Sequence, residues 1–322
     1  MIPTYLELDN KSFQQKIARA KKQLSMCSLC PHKCNVNRLK EEKGFCCAGR
    51  DLEVSHWQVH FGEEPPLSRK SGAGAIFFTH CNMKCVYCQN YQISQQPSRK
   101  KTISPEELCD IMLELKKQGA QNIDLVSPTH FVPHIIEAIY IARNKGLDLP
   151  IVYNSNGYEN LDILEILSGI VDIYLPDFKY ADSAIASKYS QVTDYEEIAT
   201  RAIVEMYRQV QDLMLDKKGC AKKGLFVRHL VLPHRLAGSF SVLDILKKKT
   251  SANIGLSLMS QYSPSYRASQ FNQLDRTLQI GEYNEVVEYV KKLGFKQCWR
   301  QELNSSSVYL PNFENSVVFP ES

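Results

Sequence analysis

Three cysteines, Cys81, Cys85 and Cys88, fall within the short stretch HCNMKCVYCQN. Disulfides need pairs, and a structural zinc site usually takes four ligands, so three thiols ask for another chemistry. The spacing C-x3-C-x2-C lets one loop wrap an iron–sulfur cluster with thiolate ligands. On a four-iron cluster, three thiolates leave one iron without a protein ligand and open to chelation. Zinc, a disulfide and chance clustering compete with this reading. The setting weighs against them: the loop directly follows a strand-like run and carries an aromatic, Tyr87, before its last cysteine.

A second set, Cys27, Cys30, Cys34 and Cys46, follows C-x2-C-x3-C-x11-C. Four thiolates suit tetrahedral zinc or a fully ligated iron–sulfur cluster, and the spacing leaves both open. Cys47 could stand in for Cys46, and His32 for one thiol. Cys109, Cys220 and Cys298 are isolated and are expected to be packing or surface residues.

Of the 11 cysteines in 322 residues, eight lie between Cys27 and Cys88. An oxidised secreted chain would spread them along its length, whereas clustering points to metal or redox chemistry in a reducing compartment. The formal charge of +4 is too mild to argue for nucleic acid. The start shows no basic, then apolar, leader pattern, and no apolar run approaches a membrane span. A soluble, cytoplasmic protein is expected, with no membrane partner.

The elements that must position these thiols begin at residue 72. The segments AIFFT, NIDLVS, PIVYNS, VDIYLPDF, LFVRHLVLP and IGLSLMSQY read as six strands. Helical stretches follow them at SPEELCDIMLELKKQG, HIIEAIYIARNKG, NLDILEILSG, DYEEIATRAIVEMYRQVQDLML, SVLDILKKK and YNEVVEYVKKLG. The first opens with Ser104 as N-cap, Pro105 and Glu107 in a capping box. Strands alternating with helices predict an α/β fold with a parallel sheet, doubly wound or a full or partial barrel. Function should then sit at the carboxyl ends of the strands, where THCNMKC, SPTH, NSNG, PDFK and SQY collect polar residues. Residues 1–70 read as an N-terminal Cys-rich segment, and 71–322 as the barrel with a C-terminal extension.

The C-x3-C-x-aromatic-C loop on such a scaffold resembles the radical SAM superfamily, whose fold is a partial (β/α)6 barrel. The resemblance covers residues 72 to about 300. Adding CSLCPHKCNVNR, HFGEEPP, NIDLVSPTHF and MSQYSP, the chain is similar to the pyruvate formate-lyase-activating-enzyme-like iron–sulfur proteins. This implies a 4Fe-4S cluster on Cys81, Cys85 and Cys88, and S-adenosylmethionine (SAM) chelated at the open iron. Reductive cleavage of SAM then gives a 5′-deoxyadenosyl radical for hydrogen abstraction. The resemblance puts Tyr87 beside adenine. It puts Ser127 and Thr129 near the SAM amino group, where a carboxylate is usual and this chain has none. Asn154, Ser155, Asn156, Asp177 and Lys179 fall around the SAM carboxylate, and Gln261 near the ribose.

Arg228, inside an otherwise apolar strand, needs an anionic partner and should face the barrel interior. His229 then points outward as a structural histidine. His130 and Arg228 are the candidate catalytic residues, His130 as a substrate contact. His60, Glu63 and Glu64 are either solvated loop residues or substrate-facing ones. The implied partners are a one-electron reductant of flavodoxin or ferredoxin type and a glycyl radical enzyme to be activated. Direct modification of a small molecule, peptide or RNA is the alternative. In its favour, His80 stands where activating enzymes typically carry glycine. A non-enzymatic metal-binding or electron-transfer protein would leave the SAM-like segments unexplained.

Overall fold

The computed structural model describes residues 1–97, 100–302, 310–315 and 318–319. Its strands are β1 (Leu52–His60), β2 (Ala73–Phe78), β3 (Lys101–Ile103), β4 (Ile123–Val126) and β5 (Ile151–Ser155). They continue with β6 (Ile173–Pro176), β7 (Met214–Leu215), β8 (Ala221–Leu230), β9 (Gly255–Met259) and β10 (Gln297–Arg300). One sheet runs in the order β10-β9-β8-β6-β5-β4-β2-β1-β3, with β7 beside β8. From β2 to β10 every pair along this path is parallel. The sheet does not close, as the partial barrel requires.

All six expected strands are present. β10 is a seventh parallel strand, and β1 and β3 add antiparallel partners at the other edge. The long helix expected through residue 215 stops at Val210, because Gln211 takes a left-handed backbone (φ 62°). The last residues of that stretch become β7 instead. The capping box of Ser104 and Glu107 forms as read.

A two-residue period divides each strand. Ile76 and Phe78, Ile123 and Leu125, Tyr153, Leu225 and Val227 belong to the main core that the outer helices cover. The alternate residues Ala75, Phe77, Val126, Val152, Leu175 and Phe226 face inward. Asp124, Asn154, Asp177 and Arg228 share the inward parity, so the pleat delivers four polar side chains to one concave face. His229 has the outward parity; it is buried, with Nδ1 2.6 Å from Phe178 O and Nε2 2.8 Å from Ser239 Oγ. It is structural, as expected.

Residues 1–70 are built into the same body. The helix Asn10–Lys22 lies against the barrel helices, with Phe13 on Tyr140. Thr4 donates through N and Oγ1 to Asp172 Oδ1 at 2.7 and 2.9 Å. Arg38 is fully buried, and all its hydrogen bonds end on carbonyl oxygens: Nε on Gly49 (2.8 Å) and Nη1 on His130 (2.6 Å). No helix among the described residues is long and apolar enough to cross a membrane.

Candidate active site

The cysteine loop leaves the carboxyl end of β2 through His80, a non-glycine residue at φ 68°. That conformation usually favours glycine. Here the ring is fixed by Glu53, whose Oε2 lies 2.9 Å from Nε2 and 3.1 Å from the Thr79 hydroxyl. The loop is then pinned to the end of the helix Ser183–Ser190: Lys84 N donates to Ser190 O and Val86 N to Tyr189 O.

Each sulfur meets a polar neighbour. Cys81 Sγ accepts from Met83 N and Asn156 Nδ2, both at 3.4 Å. Cys85 Sγ accepts from Ser190 Oγ at 3.0 Å, and Cys88 Sγ lies 3.3 Å from Ser94 Oγ. Burial pushes the Cys81 and Cys85 thiols up to about 11, with the neighbouring sulfurs among the further causes. Such thiols would stay protonated without a metal. Metal binding would deprotonate them, and the donors around them suit thiolate ligands. The three cysteines therefore fit an iron–sulfur cluster in donor type, grouping and surroundings.

Beyond the loop, Asp177 is held between two cations. Lys179 Nζ donates to its Oδ2 at 2.5 Å and Arg228 Nε to its Oδ1 at 2.8 Å. Burial alone would raise this carboxyl, but Arg228 and Lys179 outweigh it and hold it below the usual range. Arg228 Nη2 donates to Asn154 Oδ1 (2.6 Å), whose Nδ2 donates to Asp124 at 3.2 Å. The anionic partner that Arg228 required is thus Asp177, with Glu63 at 3.8 Å. Tyr195, unremarked in the sequence, braces these strand ends. Its hydroxyl lies 2.8 Å from Asn156 O and 3.0 Å from Asp177 O, and accepts from Lys179 N at 2.9 Å. Gly157 must be glycine: at φ 78°, a Cβ would sit 2.3 Å from Asp177 O.

Ser155 O accepts the Asp177 amide, and Asn156 Nδ2 also binds Asn82 Oδ1 at 2.7 Å. Ser127 sits half-buried at the end of β4 in left-handed backbone. Thr129 is committed elsewhere, donating to Glu159 Oε1 at 2.6 Å, while Tyr153 donates to Oε2 at 3.2 Å. Burial pushes the Glu159 carboxyl up to about 7. Glu159 is the residue sequence reasoning missed: its buried carboxyl ties the ends of β4 and β5 together on the outer, helix-covered side of the sheet, outside the cavity lining. Tyr87 is buried edge-on to Tyr180 and Tyr262 in an aromatic cluster.

A cavity of about 610 Å3 runs from this loop into the sheet's concave face. Gln89 and Asn90, next after Cys88, form one side; Asn154, Arg228, Met259 and Gln261 line its depth, and Glu63 and Glu64 lie across it. His60, Glu63 and Glu64 are therefore cavity residues, and His60 and Glu64 are buried. The expectation for His130 needs correction. It is buried away from this lining with Nε2 2.6 Å from Thr79 O, and burial pushes its ring down to about 3. It braces the start of the cysteine loop.

In the amino-terminal set, Cys27, Cys30 and Cys46 are buried and Cys34 half-buried. Burial raises the Cys30 thiol, and the sulfurs of Cys46, Cys27 and Cys34 raise it further, so the four are neighbours. Phe45 N donates to Cys34 Sγ at 3.4 Å, and Gly44 leaves room for that sulfur. Cys47 is exposed, and His32 stacks on Phe45 with Nε2 2.9 Å from Asn82 O, so neither replaces a thiol. Among the described residues no three His, Cys, Asp or Glu side chains are gathered tightly enough to clasp a single metal ion.

Residues 75–216 match the family model of the radical SAM superfamily. The uncharacterized protein MJ0674 of Methanocaldococcus jannaschii is 30% identical over 286 residues, covering 86% of this chain and 78% of that one. The chain belongs to the radical SAM superfamily. A second protein of that organism, the uncharacterized MJ0808, is 24% identical over 157 residues, or 44% of this chain and 46% of its own. Among solved structures, HydG, a maturase of the [FeFe]-hydrogenase, shares the fold at TM-score 0.51 and 11% identity. That superposition covers 92% of this radical SAM chain and 66% of HydG. Membership implies a 4Fe-4S cluster, SAM and an external electron donor.

Proposed function

We propose that Cys81, Cys85 and Cys88 hold the 4Fe-4S cluster and that the adjoining cavity receives SAM and a substrate for hydrogen abstraction. When bound, the cluster and SAM supply a one-electron route to a 5′-deoxyadenosyl radical. The protein's part is positioning. Asn156 and Ser190 orient the first two thiolates, Lys179 offers its ammonium to the SAM carboxylate, and Asp177 fixes Lys179 and Arg228 in place. Glu159, held by Thr129 and Tyr153, braces the ends of β4 and β5 from the outer, helix-covered side. Ser127, Ser155, Gln261 and Tyr87 complete the SAM pocket in this reading.

The observation that carries the reading is the grouping of three donor-supported thiols beside the Asp177–Lys179–Arg228 array. Anaerobically reconstituted protein with a reductant of flavodoxin or ferredoxin type should convert SAM to 5′-deoxyadenosine and methionine. Undiminished cleavage by the Cys85→Ala variant would overturn it.

The activating-enzyme resemblance makes a glycyl radical enzyme the first partner to test. One observation favours direct modification of a smaller substrate instead: the cavity ends on buried charges at Glu63, Glu64 and Arg228. A glycine of a partner loop has no use for such a wall.

At the amino terminus, Cys27, Cys30, Cys34 and Cys46 would hold a second metal site; an iron–sulfur cluster suits their present spread, and zinc would have to draw them closer. Arg38 supports it: its hydrogen bonds end on carbonyls, and its charge favours the thiolate form of nearby Cys46, which burial opposes. A buried guanidinium needs an anion, and metal-bound thiolates supply one.

A further inference from the structure

The sheet's concave face, at and just behind the cavity wall, gathers more carboxyl groups than the cysteine loop and the SAM contacts require, while Arg69 and Arg300 line the cavity elsewhere. Four carboxylates, Glu63, Glu64, Asp124 and Asp177, stand around two cations, Arg228 and Lys179. Lys179 and Arg228 both spend themselves on Asp177. Glu63 lies 3.8 Å from Arg228 and hydrogen-bonds to the carboxyl groups of Glu64 and Asp124. Glu64 is 9% exposed, lines the cavity, and its Oε2 has no hydrogen-bond partner among the described residues. Asp124, with no exposure, meets the Glu63 carboxyl and Asn154, and no donor other than a shared carboxyl proton reaches its Oδ1.

Resting on the radical SAM reading above, we propose that Glu63 and Glu64, backed by the buried Asp124, form an anionic wall that binds an aliphatic ammonium or guanidinium group of the substrate. Buried carboxyl groups crowded together are costly as anions, and they relieve the cost by keeping and sharing protons. Burial raises the Glu63 carboxyl well above the usual range and that of Asp124 to about 7, against the pull of Arg228. An incoming cation would take the place of those protons. Arg228 already shows that a guanidinium fits among these acids. Phe77, Val126, Met259 and Trp299 line the same cavity and offer an apolar track for the alkyl stem. Because Gln89 and Asn90 bound the other side, a group anchored at Glu64 leaves the rest of the molecule reaching toward Cys88.

The test is calorimetric titration of the reconstituted holoenzyme with agmatine and cadaverine as free cations. Acetyl-Gly-Lys-Gly-amide serves as a peptide-borne ammonium, with pentanol as the neutral control and Mg2+ as the metal control. We expect saturable binding of the free cations, the peptide, or both, none of pentanol, and affinity at least about tenfold weaker in Glu64→Gln. Glu63→Gln is the second variant, and melting temperatures identify a variant that fails to fold. Binding by the free amines alone assigns a small-molecule substrate, and binding by the peptide assigns a side chain. No saturable binding of any organic cation at millimolar concentration overturns the wall, as does equal affinity in both folded variants. Mg2+ binding that excludes the amines overturns it in favour of a metal site. SAM cleavage by the wild-type protein is scored separately. If cleavage is absent the radical reading fails, whereas cleavage without amine binding removes only the wall.

Discussion

Asn156 donates from one amide nitrogen to Cys81 Sγ at 3.4 Å and to Asn82 Oδ1 at 2.7 Å, linking the end of β5 to the cysteine loop. Asn82 in turn holds Tyr158 O at 2.7 Å, so the NSNG turn and the loop are locked from both ends.

Removing that link should alter the cluster electronically before it alters it structurally. N–H donation to a ligating sulfur favours the reduced, more negative state. Asn156→Ala should therefore shift the midpoint potential to a more negative value, by the equivalent of about 0.5–1.5 kcal/mol for one net hydrogen bond. Redox titration followed by electron paramagnetic resonance reads it. An unchanged potential would mean that the contact only positions the loop.

Lys179→Ala should weaken SAM binding by about 1–3 kcal/mol, the loss expected for one charge-assisted contact. Iron and sulfide content should stay at the wild-type level, since Lys179 touches Asp177 rather than a cysteine. Calorimetry with SAM on the reconstituted variant settles the point, and unaltered affinity would return Lys179 to a structural role.

Glu159 gives a pH signature of folding. Its carboxyl is raised by burial to about 7, so between its ordinary value of 4.5 and 7 the native state binds the extra proton. Stability from this group is then lost as pH rises through that window, at up to about 1.4 kcal/mol per pH unit. Glu159→Gln keeps an acceptor for Thr129 and cannot titrate. Urea denaturation at pH 5 and pH 8 should show the wild-type protein losing more stability than the variant. Equal losses would contradict the burial argument.

The second metal site has a direct assay. A Cys81→Ala, Cys85→Ala, Cys88→Ala triple variant should still carry metal on Cys27, Cys30, Cys34 and Cys46. Retained zinc would mark a structural knuckle, and retained iron with sulfide a second cluster. A metal-free triple variant removes the site.

Local periodicity made the strand skeleton readable, because buried runs such as AIFFT and PIVYNS are bounded by turn residues. The inward parity of Asn154, Asp177 and Arg228 follows from the same pattern. Glu159 was not legible: it lies past the strand, and only the turn at Gly157 swings it back onto Thr129. Glu63 and Glu64, in a charged loop with prolines, read equally well as solvated; long-range packing under the sheet decided otherwise. His130 misled because a histidine at a strand end looks catalytic. The short helical turn Thr129–Phe131 rotates it into the core instead. β1 alternates visibly, but its antiparallel partner lies across a loop that sequence alone does not close.

With metal on the amino-terminal thiols, as proposed, Arg38 would set an order of events for maturation. Its charge enters the interior with the amino-terminal segment and ties Gly49 to His130, behind the cysteine loop. On the reading given above, the balancing anion exists only once metal has drawn the protons off nearby Cys46 and its fellow thiols. Newly made chain without that metal should then hold residues 23–50 loosely, leaving them open to proteases and the brace at His130 unset. Delivery of the amino-terminal metal would precede, and license, a well-formed catalytic loop.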